Sequence, residues 1–215
     1  WLKNPVYKDH IRSVLYIWQG GMESGNAVAD VLSGKVSPSG KLTDTIACSL
    51  ADYPAANDFG DTVRNFYTED IYVGYRYFET FCPEKVMYEF GFGLSYSKFD
   101  IEILKAETVI EESEVGGAWG SHGVSIDNGT CAGKEVQITI CVKNTGDCRG
   151  KEVVQVYVQA PQGKLGKPAR ELKAFAKTKE LAPGEKQKMT LHIPVKNLAS
   201  YDDSGVAGHK SCYVS

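Results

Sequence analysis

The sequence predicts an α/β unit followed by an all-β domain. Two local patterns carry this prediction: a strand, glycine turn and helix over residues 14–34, and a series of short β-prone runs from Phe99 onward. The composition agrees: 215 residues, 42% hydrophobic and 24% charged, are enough to fill the core of one large domain or two modest ones. A net charge of −3 and the lack of a basic cluster leave no footprint for nucleic acid. No apolar run approaches the roughly 20 residues of a membrane span, so neither nucleic acid nor membrane is an expected partner.

The α/β signal is local. Val14-Leu15-Tyr16-Ile17-Trp18 is an apolar run too short for a helix, and it reads as a strand buried on both faces. Gly20 and Gly21 allow a tight turn. Ser24 is placed to cap a helix with apolar positions Ala27, Val28, Val31 and Leu32, and Gly34 stands where that helix should stop. In open α/β sheets, ligands gather at this kind of carboxyl-end loop, which makes Gln19–Ser24 the leading site candidate. Before it, Pro5 forbids a helix through residues 1–13.

Beyond the turn Ser37-Pro38-Ser39-Gly40, Lys41–Ala47 reads as a short strand or extended segment, and Ala51–Asn65 as a surface loop broken by Pro54 and Gly60. Ile71, Tyr72, Val73, Tyr75, Tyr77 and Phe78 form a β-favouring aromatic run, and Val86–Phe90 forms a second. Gly91-Phe92-Gly93 is no dinucleotide fingerprint, since the third glycine is missing and no helix follows.

Five β-prone runs follow: Ile101–Leu104, Val136–Val142, Val153–Val158, Leu172–Lys177 and Met189–Ile193. Turns at Asn144-Thr145-Gly146-Asp147 and Ala182-Pro183-Gly184-Glu185 separate them, as in a β-sandwich, and a further strand is expected from Ser211. Residues 107–133, rich in Gly and Glu, read as an exposed insert. The domain boundary falls near residue 98, giving domains 1–98 and 99–215. The chain opens at Trp1 without Met or a signal pattern and closes on a strand-like Lys210–Ser215, so a fragment of a longer protein is expected.

Cys48, Cys82, Cys131, Cys141, Cys148 and Cys212 show neither a C-x-x-C pair nor zinc spacing, and they read as reduced thiols of a cytoplasmic protein. Asn128-Gly129-Thr130 matches a glycosylation sequon but reads more simply as an Asn-Gly turn. His10, His122, His192 and His209 are scattered, so no metal or other cofactor is expected. The adjacent pairs Glu69-Asp70, Glu111-Glu112 and Asp202-Asp203 read as solvated surface.

Four stretches together resemble glycoside hydrolase family 3. They are Trp18-Gln19-Gly20-Gly21-Met22-Glu23-Ser24-Gly25-Asn26 with Ser37-Pro38-Ser39-Gly40-Lys41-Leu42; Tyr67-Thr68-Glu69-Asp70-Ile71-Tyr72-Val73-Gly74-Tyr75-Arg76-Tyr77-Phe78; Phe90-Gly91-Phe92-Gly93-Leu94-Ser95-Tyr96; and Val142-Lys143-Asn144-Thr145-Gly146 with Gly150–Val158, continued by Pro168–Phe175. The resemblance implies the end of the family's α/β-sandwich domain, then its fibronectin type III-like β-sandwich without the last strand or strands. It further implies β-glucosidase or β-xylosidase chemistry in the intact enzyme, with retention of configuration by two carboxyl groups. The nucleophile of that chemistry comes from a (β/α)₈ barrel, and this sequence shows no such repeat. The acid/base Glu lies upstream of the segment matching Val14–Trp18. Thr43-Asp44-Thr45-Ile46 and Glu79-Thr80-Phe81 resemble the branch in which the sandwich precedes the barrel. No catalytic residue is therefore expected in this chain, which should be inactive alone.

The substrate-binding candidates are Trp18, Gln19 and Glu23, acting from behind the groups that grip the sugar. Trp18 is either an aromatic wall for a sugar ring or strand core. Glu23 either supports a sugar-facing loop or is a plain carboxylate favoured by a helix dipole. Gly21-Met22-Glu23-Ser24-Gly25 misses the nucleophile-elbow pattern, so a serine hydrolase is not expected. Arg76 reads as a structural ion pair or a tyrosine stack rather than a ligand for a carboxylate. The expected partners are a β-linked glucoside and the family's barrel, with a homodimer expected from unpaired strand edges. The alternative is a stand-alone carbohydrate-binding or structural module, for which Trp119 is the conspicuous exposed aromatic.

Overall fold

A computed structural model describes residues 2–64, 66–110, 134–208 and 210–214. The chain divides into two compact units, Trp1–Ser37 and Pro38–Ser215.

In the first unit, helix α1 spans Ser24–Leu32. Glu23, not Ser24, takes the capping position, and Asn26 Nδ2 donates to the Glu23 carboxylate. Gly20 is forced by packing: a Cβ there would lie 2.1 Å from Ser24 Cβ. The helix ends as expected, with Gly34 at φ +77° donating to the Val31 carbonyl. The predicted strand Val14–Trp18 does not form. Its five side chains are 41–61% exposed and Trp18 has φ +51°. A strand buried on both faces exists only through its neighbours, and among the described residues none pairs with this run.

The second unit starts with two-residue strand β1, Ile46–Ala47, paired antiparallel with β2, Val86–Tyr88. Between them lies helix α2, Tyr75–Phe81. This corrects the β-favouring expectation for the aromatic run. Gly74 at φ +60° launches the helix, and Tyr75 and Phe78, three apart, are its buried residues. Phe78 packs with Ala47 and Cys82 against Tyr53, Tyr77 and Val86. The Tyr53 hydroxyl locks the corner by donating to Thr45 O and accepting from Ala47 N.

The remainder is a β-sandwich. Strands β3 (Phe99–Ile110), β4 (Lys134–Asn144) and β7 (Lys186–Pro194) form one antiparallel sheet in the order β3-β4-β7. Strands β5 (Val153–Val158) and β6 (Glu171–Lys177) form a second. Ile140, Val142 and Leu191 of the first sheet meet Val154 of the second, with Leu181 between, and Ala174 and Ala176 pack on this core. A last hairpin pairs β8 (Ser200–Asp202) with β9 (Cys212–Val214). Each of the five predicted β-prone runs lies within a strand. The insert at 107–133 falls partly in β3. Residues 111–133, with Glu111, Glu112, Trp119, His122, Asn128 and Cys131, lie outside the described residues, as does His209.

Candidate functional site

Of the three predicted site residues, all lie on the turn entering α1. The Trp18 ring meets Tyr16 edge-on at 4.4 Å and is 52% exposed, which removes the core alternative for Trp18 within this chain. Gln19 is exposed, and Glu23 is exposed at the helix start with Asn26 as its partner. The other carboxylate on α1, Asp30, is paired with Lys35 at 2.9 Å. The turn thus presents an aromatic ring, an amide and a carboxylate to solvent. That set can stack on a ring and accept hydroxyl protons, but it offers one carboxylate, itself bonded to Asn26, where retaining glycoside hydrolysis needs two.

The second unit holds a polar cluster invisible to local sequence patterns. Arg170 makes a two-pronged bond to Glu79 of α2, with Nη2 to Oε1 at 2.7 Å, and its guanidinium lies 4.8 Å from the Tyr157 ring centroid. Tyr157 donates to Gln155 at 2.6 Å, and burial pushes its hydroxyl up to about 12 against the opposing pull of Arg170. Tyr75 stacks on Phe90 and accepts from Leu172 N at 2.8 Å, while Thr80 accepts from Ala169 N. Lys41 bonds Glu152 at 2.8 Å and the Gly93 carbonyl at 3.0 Å. These bonds fasten α2 and the Gly91-Phe92-Gly93 turn to the sandwich. Arg76 takes both predicted structural roles: its Nε is 3.3 Å from Glu171, and it sits 5.7 Å from the Tyr75 ring centroid.

One surface expectation fails. Asp202 is buried, and its carboxylate accepts backbone N–H bonds from Gly205, Val206 and Ala207 at 2.7–3.1 Å. It shapes a loop rather than facing water. Among the described residues no three His, Cys, Asp or Glu side chains gather in a metal-binding group, and no helix is long and apolar enough to cross a membrane.

A helix entered by an exposed glycine turn thus precedes an antiparallel sandwich along the chain. Residues 2–96 match the glycosyl hydrolase family 3 C-terminal domain, and residues 152–208 match a fibronectin type III-like domain. Residues 2–96 are thus a glycosyl hydrolase family 3 C-terminal region, followed by a fibronectin type III-like domain. It is 46% identical over 202 residues to the beta-glucosidase of Ruminococcus albus, covering 94% of this chain and 19% of that protein. Against beta-glucosidase A of Butyrivibrio fibrisolvens the identity is 48% over 210 residues, covering 95% and 24%. The crystal structure of a beta-glucosidase from Paenibacillus barengoltzii superposes with a TM-score of 0.84 at 51% identity, over 99% of this chain and 21% of that one. The chain therefore spans about a fifth to a quarter of the length of the relatives it matches.

Proposed function

We propose that this chain is the non-catalytic portion of a retaining family 3 β-glycosidase that cleaves terminal β-D-glucosidic or related bonds. In the intact, cytoplasmic enzyme it shapes the sugar pocket with the turn Trp18–Glu23 and braces the barrel, with the domain boundary near residue 98. One observation carries the reading: nearly the whole chain aligns with β-glucosidases while covering 19–24% of their length. The lone exposed carboxylate at the turn fits a supporting role and not a catalytic pair.

The test is kinetic. In the full-length enzyme, Trp18→Ala is expected to raise KM for an aryl β-glucoside about tenfold, the loss of roughly 1.4 kcal/mol of binding. Unchanged KM and kcat in Trp18→Ala and Glu23→Gln together would overturn the pocket-shaping role.

A further inference from the structure

The flank of the sandwich between β6 and β7 carries a groove of about 390 Å³, within the size range of small-molecule sites. Phe175 stands at its β6 side, 70% exposed, while its neighbours Ala174 and Ala176 pack on the core. Alternation along the strand thus fixes the ring outward on a rigid element. Thr190 and His192 line the β7 side. Both are held by the next strand: Thr190 Oγ1 is 3.1 Å from Thr139 Oγ1, and His192 Nδ1 is 2.8 Å from Glu135 Oε1. Gln137 Nε2 also donates to Glu135, and these two bonds hold its carboxyl below the usual carboxylate range. His192 Nδ1 is thereby engaged by this carboxylate, which leaves Nε2 for a ligand hydroxyl.

An exposed aromatic ring beside a fixed row of hydroxyl and imidazole groups suits one ligand chemistry. A β-linked glucopyranose has equatorial hydroxyls around its rim and a flat face of axial C–H bonds. Its C–H face stacks on an aromatic ring while the rim hydroxyls pair with the polar row. A protein partner fits poorly, because a groove of this size cannot supply the roughly 1,000 Å² of a specific interface.

We propose that the groove of Phe175, Thr190 and His192 is a binding site for β-glucan chains, built from other residues than the turn at Trp18–Glu23. The sugar class rests on the reading above, whereas the groove's stacking and hydrogen-bonding character rests on its own geometry.

The test is titration calorimetry of the 215-residue chain with cellotetraose and laminaritetraose. At least one is expected to bind. Phe175→Ala should weaken that binding at least tenfold, and His192→Ala several-fold. Phe175→Trp should retain it, and Tyr213→Ala, on the separate β8–β9 hairpin, should leave it unchanged. Circular dichroism confirms that each variant keeps the wild-type β signal; if Phe175→Ala loses it, Phe175→Ser and Phe175→Trp decide the stacking role. No binding by the wild type, or equal binding by every folded Phe175 variant, would overturn the proposal. Either result leaves the glycosidase reading to its own kinetic test in the full-length enzyme.

Discussion

Asn144 is fully buried and uses its whole amide. Its Nδ2 donates to Cys148 O and Leu181 O, both at 2.8 Å, and its Oδ1 accepts from Ser97 Oγ and Gly146 N. Asn144→Ala would take this partner from the Cys148 carbonyl and the Ser97 hydroxyl, while Leu181 O keeps Gly150 N and Gly146 N keeps Lys98 O, at a cost of about 1–3 kcal/mol. Urea denaturation should show a lower midpoint with an unchanged slope, and a midpoint within error of wild type would contradict this. The turn at Asn144–Asp147 was legible from residue types, but this role was not, because the partners lie 47 and 37 positions away. Asp202 misled for a different reason: the three amides that fold back over its carboxylate lie only three to five residues on, but a surface-looking Asp-Asp pair does not mark that loop.

Tyr157 makes a second prediction at this scale. With its hydroxyl raised to about 12 in the folded chain and near 10 unfolded, the folded state favours the neutral phenol. The stability tied to that group is fully present below about pH 10 and is lost as pH rises towards 12. In a base titration followed at 295 nm, Tyr157→Phe should remove a late-titrating step. A difference spectrum titrating near 10 would contradict the assignment.

Among the elements, α2 shows where propensity loses to context. Tyr75, Tyr77 and Phe78 favour strands in isolation, but burial of residues three apart needs a helix, and Gly74 supplies its entry. Nothing local marked Glu79 as the partner of Arg170, 91 residues on. A double-mutant cycle of Glu79→Gln and Arg170→Gln should give a coupling of about 1 kcal/mol, modest because Arg170 is partly solvated. Zero coupling would mean that the ring contacts and the bonds of Tyr75, Arg76 and Thr80 hold α2 without this pair. Gly91 tests the same junction: a Cβ there would lie 2.2 Å from Gln155 Oε1, the acceptor of the Tyr157 hydroxyl, and the backbone sits at φ +81°. Gly91→Ala is expected to cost about 1–2 kcal/mol by thermal unfolding. The sandwich strands, by contrast, were legible because alternation and turn residues are local signals. Val14–Trp18 read as a strand for sound local reasons and fails only for want of neighbours.

For the whole molecule, the matched domains and the exposed apolar run point the same way. Val14–Trp18 and Leu32 are built for burial, yet α1 buries none of its residues in this chain. Isolated chains should bind a hydrophobic dye and self-associate with rising concentration, and sedimentation equilibrium would detect the homodimer expected from open strand edges. A strictly monomeric, dye-silent chain would contradict that. The family was legible because several motifs occur in the right order along the chain, whereas the site was legible only as a turn whose chemistry needs groups outside it. The most direct test of the account is hydrolysis of an aryl β-glucoside by the purified 215-residue chain. No turnover above buffer is expected, since Glu23 is the single carboxylate of the turn and retaining hydrolysis needs two. Measurable turnover, abolished by Glu23→Gln, would contradict it.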